Sequence, residues 1–167
     1  MSIDKCVHAH AFAEKKHFGV QRQRTGVSYI HHPEQVARIV KGWNGTEEQI
    51  EAAYLHDTVE DTDATLEVIS EKFGDKVSSY VSELTNDKDE VQKKSKLVYM
   101  NEKLLNMSPE ALLIKLADMY ANMLDQPLEK TRDRMLANVA YLQKNRKDLL
   151  PVHIELIEEI EIAAMFI

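Results

Sequence analysis

The chain has 167 residues, 44% of them hydrophobic and 29% charged, with a formal net charge of −7. That acidic balance argues against a general nucleic-acid-binding surface, and only five glycines and four prolines argue against a loop-rich all-β fold. The lone Cys6 excludes an intramolecular disulfide and a thiolate metal cluster, and no apolar run approaches the ~20 residues that span a bilayer. The length suits one domain over residues 1–167 with a substantial core. The N-terminal residues lack the apolar core of a signal peptide, so a cytoplasmic protein with no membrane partner and no nucleic-acid partner is expected.

Residues 3–18 carry Ile3, Val7, Ala11 and Phe18 at roughly helical spacing and close on Lys15 and Lys16, which predicts an amphipathic helix with basic residues at its C-terminal end. Gly19 stops it. Residues 19–31 have no periodicity and hold Arg22 and Arg24, a basic loop. His32-Pro33 opens the next helix, with Pro33 in its first turn and Val36, Ala37, Ile39 and Val40 inward. Thr46 caps a third helix, with Gln49 completing a capping box. Ile50, Ala53, Tyr54 and Val59 can face the core, and the pattern continues to about Thr62.

Leu66, Val68, Ile69 and Phe73 predict a short helix ended by Gly74, and Val77, Tyr80, Val81 and Leu84 another. Residues 86–96 are charged and non-periodic, an expected exposed loop. A helix runs from about Leu97 to Met107. Ser108-Pro109-Glu110 then caps a mostly apolar and therefore central helix, broken by Pro127. Met135, Val139 and Leu142 mark the inner face of a helix over 129–147, and Ile154, Ile157 and Ile160 that of a last one from Pro151 to about Ala164. The expected class is all-α: a compact single domain of about seven to nine helices with essentially no strand.

The chemistry concentrates in residues 47–62. His56, Asp57, Glu60 and Asp61 follow an apolar run, and three carboxylates this close repel one another unless a cation sits among them. On one continuous helix His56 and Glu60 share a face, as do Asp57 and Asp61. Outside this stretch His32 stands where a loop enters a helix. Asp118 lies inside the apolar run around Leu116 and Met119, where a charge is costly unless paired or metal-bound. Asn122, one turn on, can reach a substrate or orient the Asp118 carboxylate. Two imidazoles and two carboxylates suit manganese, iron or zinc better than calcium or magnesium. Such an ion lowers the pKa of a bound water and polarises a phosphoryl oxygen. Glu60 and Asp61 are then placed to position or deprotonate that water. Competing structural readings exist for each piece: a helix hydrogen bond for His56-Asp57, a buried ion pair with Lys115 for Asp118, and a solvated helix end for Glu60-Asp61. All must hold together for the metal reading to fail. His8, His10, His17, His31 and His153 read as surface residues or as residues behind the ligands.

His-Pro at 32–33, H-D-T-V-E-D-T at 56–62 and K-L-A-D-x-x-x-N-M at 115–123 resemble the HD-domain metal-dependent phosphohydrolases. More narrowly they resemble the hydrolase domain of the RelA/SpoT family and the small alarmone hydrolases. The stretch Arg24 to Pro33 is similar to that family's R-K-S-G-E-P-Y-I-x-H-P, and the resemblance spans roughly residues 10–125. It implies an all-α fold, His32, His56, Asp57 and Asp118 as ligands of one divalent metal, normally Mn²⁺, and Glu60 and Asp61 as the groups that activate water. It implies Asn122 on the nucleotide sugar or phosphate, and Gln23, Arg24 and Thr25 in the loop around the guanine. The implied reaction removes the 3′-pyrophosphate from guanosine tetra- or pentaphosphate. The alternative is an HD-domain phosphatase for another phosphate ester, such as the 2′-phosphate of NADPH. The departures all bear on substrate: Gln23 replaces a basic residue, Val27-Ser28 a Glu-Pro, Met119 and Ala121 an Arg and a His, and Asp125 a Thr. The expected partner is a phosphorylated, guanine-based nucleotide. No synthetase domain is expected beyond residue 167, and the apolar tail from Ala163 to Ile167 admits docking on the chain's own core or a homodimer contact.

Overall fold

The computed structural model describes residues 2–167, with side chains from Lys5 onward, so the expectation for the Ile3 side chain lies outside the described residues. Eleven helices make up the described chain, nine of them eight residues or longer. The only β-pairing among the described residues is a single antiparallel bridge between Gln21 and Ser28. No helix there is long and apolar enough to cross a membrane. The helices form two compact units, Met1–Thr85 and Asn86–Ile167.

The first unit contains α1 (Ser2–Lys16), α2 (His31–Gly42), α3 (Glu47–Leu55), α4 (Thr58–Asp61), α5 (Leu66–Phe73) and α6 (Asp75–Leu84). Helix α3 is its axis, packed against α1, α2 and α6. The packing is close because the meeting faces are small: Ala9 and Ala13 on α1 and Ala52 and Ala53 on α3 are fully buried. The inward face of α1 therefore differs from the expected one. Val7, Ala11 and Phe18 point to solvent, and Ala9, Ala13 and His17 point inward. Phe18 lies in the turn past the end of α1 at Lys16, and the small Ala9 and Ala13 make the face that meets α3. Helix α2 buries Val36, Ala37, Ile39 and Val40 as its period predicts, and α6 buries Val77, Tyr80, Val81 and Leu84.

Thr46 starts α3 with a full capping box: the Gln49 N–H donates to Thr46 Oγ1 at 3.2 Å, and the Thr46 N–H donates to Gln49 Oε1 at 2.8 Å. The helix does not run on to Thr62. It stops at Leu55, and α4 begins at Thr58. Thr58 Oγ1 donates to the Leu55 carbonyl at 2.7 Å and His56 Nδ1 bonds the Ala53 carbonyl at 2.7 Å, so two side chains compete for acceptors of the last turn. Asp57 sits at φ −103°, ψ −1°, the sparsely populated bridge between helix and strand geometry.

The second unit contains α7 (Lys88–Lys94), α8 (Lys96–Asn106), α9 (Pro109–Leu124), α10 (Glu129–Asn145) and α11 (Pro151–Ala164). Helix α7 occupies the stretch expected to be a loop. It buries nothing, so hydrophobic period cannot reveal it. Its caps hold it instead: Asp87 Oδ1 accepts from the Asp89 and Glu90 N–H groups, and Lys94 pairs with Glu90 and Glu102. Helix α9 is the core element, with ten buried residues, and packs on α11. Met135, Val139 and Leu142 point inward from α10 as predicted, joined by Asn138, which donates to the Leu97 carbonyl and to Asn101 Oδ1. On α11 Ile157 and Ile160 are buried, but Ile154 is exposed and Leu156 takes the inner position. In the tail Ala164 is buried, whereas Met165 and Phe166 are about four-fifths exposed, at 79% and 80%.

His153 is buried rather than superficial, at 1% exposure. Its Nδ1 accepts from the Leu150 N–H at 3.0 Å, closing the first turn of α11, and its Nε2–H donates to the Pro109 carbonyl at 2.9 Å, tying α11 to α9. An N–H can only donate and a carbonyl only accept, so the ring is neutral with the proton on Nε2. Burial, against the pull of the Pro109 bond, holds this imidazole below its ordinary value of 6.5. The unfolded chain therefore binds the extra proton more readily, and the stability His153 contributes is fully present above pH 6.5 and lost as pH falls below it. Replacing His153 by Ala is expected to cost about 2–4 kcal/mol at pH 7.5, since two buried hydrogen bonds and ring packing go together. Urea unfolding of both proteins should show that gap narrowing as the pH is lowered from 6.5 toward 5.

Candidate metal centre

The break between α3 and α4 turns His56 and Asp57 inward at one point. His56 is buried and Asp57 half-buried, and His56 Nε2 lies 2.9 Å from Asp57 Oδ2. Because the Ala53 carbonyl can only accept, His56 Nδ1 carries the ring proton. The Nε2 lone pair then faces a carboxylate oxygen. Two electron-rich atoms at that separation need a positive charge with them, either a second proton on the ring or a metal cation. The donor set favours the metal. His32, in the first turn of α2 and only 3% exposed, brings its Nε2 to 3.8 Å from the same Asp57 oxygen. The His32 and His56 rings meet edge-on with centroids 5.3 Å apart. Two imidazoles and a carboxylate converging in a buried site match the chemistry of a borderline divalent ion.

The continuous-helix argument that set His56 above Glu60 does not survive the break at residues 56–57. Glu60 and Asp61 instead lie on the four-residue α4 that follows, Glu60 half-buried and Asp61 exposed. They follow the His56-Asp57 pair closely along the chain. The loop that carries Gln23, Arg24 and Thr25 is a small hairpin. The Arg22 N–H donates to the Val27 carbonyl and the Gly26 N–H to the Arg22 carbonyl, both at 2.8 Å, with Gly26 at φ +73° at the tip. All three residues are exposed on it.

In the second unit Asp118 is buried on α9, 6% exposed. The Lys115 ammonium donates to its Oδ2 at 2.8 Å, and Asn122 Nδ2 donates to its Oδ1 at 3.0 Å. The expected ion pair with Lys115 is thus present, and Asn122 is bonded to the Asp118 carboxylate. Met119 and Ala121, where the resembled family has an Arg and a His, are buried in the core, and Asp125 caps the end of α9.

Two further residues of the first unit stand beside this pair, and the sequence reading gave Tyr29 no role. Tyr29 donates its phenol O–H to Asp57 Oδ2. His17, expected at the surface or behind the ligands, is 2% exposed and packs on the Tyr29 ring at 4.7 Å. Burial holds its imidazole below the ordinary value, against the pull of the Asp57 charge. No period or motif marks a histidine one residue past a helix end. A carboxylate partner also emerges for two other histidines: Glu34 bonds His10 at 2.8 Å and His31 at 3.1 Å. Burial works to raise the Glu34 carboxyl, but the bonds from His10 and His31 outweigh it and hold it below the ordinary value.

Comparison with known proteins agrees with this chemistry. The HD domain family model matches residues 9–140. The chain is 40% identical over 122 residues to the human guanosine-3′,5′-bis(diphosphate) 3′-pyrophosphohydrolase MESH1, covering 71% of this chain and 68% of that protein. It is 39% identical over 123 residues to a guanosine-3′,5′-bis(diphosphate) 3′-pyrophosphohydrolase of Aquifex aeolicus, covering 68% of this chain but only 16% of that longer protein. Among solved structures it is similar to a metazoan SpoT ortholog described as hydrolysing ppGpp, with a TM-score of 0.78, 28% identity and 93% of each chain covered. With a helical fold, the His-Asp pair at the α3–α4 break and a match over most of its length, this chain belongs to the HD domain family.

Proposed function

We propose that the chain is a divalent-metal-dependent phosphohydrolase that removes pyrophosphate from the 3′ position of a guanosine bis(diphosphate). The observation that carries the metal reading is the pairing of His56 Nε2 with Asp57 Oδ2 at 2.9 Å, with the ring's other nitrogen committed to a carbonyl. The substrate reading rests on relatives named for that activity. In it His32, His56, Asp57 and Asp118 hold one ion, for which Mn²⁺ suits the mixed nitrogen and oxygen donors. The family model runs from residue 9 to 140 and draws on both units, which supports reading the chain as one HD-type domain. A single cysteine fits a reducing compartment, and we read the enzyme as cytoplasmic.

The cation supplies a more acidic water and a polarised phosphoryl oxygen. Glu60 and Asp61 take the proton from the attacking water. Attack at the phosphorus next to the 3′ oxygen breaks that P–O bond, the 3′ oxygen takes up a proton, and pyrophosphate leaves. Asn122 keeps the Asp118 carboxylate turned by its 3.0 Å bond, and Gln23, Arg24 and Thr25 meet the base end of the nucleotide from the exposed hairpin.

The neutral Gln23 at the hairpin tip and the acidic Asp125 after α9 favour a second reading, a phosphatase for a less charged phosphate ester. One assay separates the two. Protein loaded with Mn²⁺ is expected to release pyrophosphate from guanosine 3′,5′-bis(diphosphate) and no orthophosphate. Orthophosphate release from NADPH or a nucleoside monophosphate, without turnover of the bis(diphosphate), would establish the second reading instead.

A further inference from the structure

We propose that Tyr29 is a positioning residue of the metal centre, its phenol holding the Asp57 carboxylate in the orientation that a bound divalent cation requires. The inference rests on the reading of Asp57 as a metal ligand.

Asp57 stands at the helix break as the residue before α4, where its carbonyl accepts from the Asp61 N–H at 3.0 Å but its side chain makes no cap hydrogen bond to the helix that follows. A short carboxylate in such a place can rotate about its side-chain torsions, and each rotamer spoils the approach of both oxygens to a metal. The Tyr29 O–H bonds the same oxygen, Oδ2, that lies 2.9 Å from His56 and 3.8 Å from His32. Carboxylates that bind metals commonly take such a hydrogen bond from a neighbouring group, and it fixes both their orientation and their basicity. A bond from a phenol to a carboxylate is charge-assisted and therefore among the stronger ones.

The phenol can serve as a fixed post only if its ring is held, and three groups hold it. The His17 ring packs at 4.7 Å with the planes 45° apart, His32 meets it edge-on at 5.9 Å, and the Arg22 guanidinium lies 5.8 Å from its centre. The backbone is held as well. The Tyr29 N–H donates to the Val20 carbonyl at 2.8 Å, directly beside the Gln21–Ser28 bridge. His17 is itself only 2% exposed, so the wall that its ring offers Tyr29 is fixed by packing.

The test compares metal binding by wild type, Tyr29→Phe and Asp57→Asn. Mn²⁺ affinity is measured by competition with a chelator, and folding is followed by circular dichroism. Phenylalanine keeps the ring, its packing and the Val20 bond, and removes only the donor. Tyr29→Phe is expected to bind Mn²⁺ about 10–100-fold more weakly. Its turnover should recover toward wild type when Mn²⁺ is raised to saturation. Asp57→Asn should bind essentially none. If Asp57→Asn loses the metal while Tyr29→Phe binds it as wild type does, the positioning role is overturned and the metal centre stands. If Asp57→Asn retains wild-type affinity, the ligand reading falls and the Tyr29 inference falls with it. A Tyr29 that merely anchored its hairpin would change unfolding and leave metal affinity where it was.

Discussion

Replacing His56 or Asp57 by alanine is expected to empty the metal centre and to reduce turnover by about 10³-fold or more. The estimate follows from the several kcal/mol of transition-state stabilisation that a metal supplies in phosphoryl chemistry, at about 1.4 kcal/mol per tenfold in rate. The two variants should differ in their metal-free stability. Asp57→Ala leaves the Tyr29 phenol, now bonded to Oδ2, without its acceptor in a half-buried place. That should cost about 1–2 kcal/mol beyond any lost packing. His56→Ala frees the Ala53 carbonyl and opens a cavity under a residue that is 3% exposed. Elemental analysis after dialysis, alongside unfolding of the metal-free proteins, separates metal loss from loss of fold. A folded variant that keeps a full equivalent of metal would remove these residues from the ligand set.

The second large effect is expected at Glu60. Glutamine has the same size and keeps a hydrogen-bonding oxygen but cannot accept a proton. Glu60→Gln should leave metal content and substrate affinity close to wild type while kcat falls by about 10²–10⁴-fold, the range that general acid–base catalysis contributes. Asp61→Asn in the same assay tests how the two share the work. Asp61 is exposed and Glu60 half-buried, so the larger loss is expected at Glu60, which is better shielded from bulk water. If Glu60→Gln turned over as wild type does, water activation would belong to another group and the roles drawn for α4 would have to be redrawn.

These two predictions attach to different features of residues 47–62, and the distinction comes from the break at His56-Asp57. A single helix would stack His56 over Glu60 and make both candidates for the same job. With α3 ended at Leu55 and α4 begun at Thr58, the pair at 56–57 turns toward His32 and Tyr29 while Glu60 and Asp61 follow on a separate turn. The break was not legible as hydrophobic period because it spans two residues. It is written in hydrogen-bond competition: His56 and Thr58 each carry a side chain able to reach a carbonyl of the preceding turn, and both do so.

The sequence by itself determined the helical class and most element boundaries, and it singled out the residues for which a chemical role is proposed. Caps at Thr46, Ser108 and Asp87 and the stops near Gly74 and Pro127 are local signals, decided by backbone groups that need partners within a few residues. Only Asp87 was passed over, because the helix it starts buries no apolar face. The costly residues were legible for a related reason: a His-Asp pair in a crowded acidic stretch and an aspartate in an apolar helix each announce a charge that something must balance. What the tertiary structure alone decided are matters of distance between segments remote in the chain. Which face of α1 turns inward depends on how closely α3 approaches, and alanines win over larger apolar residues there. That His17 and Tyr29 stand behind Asp57, and that His153 bridges two helices, depends on where a loop and two helix ends come to rest. Local propensity acts over a turn or two, whereas these contacts close 12 to 44 residues of chain, and packing chooses among the ways of closing them.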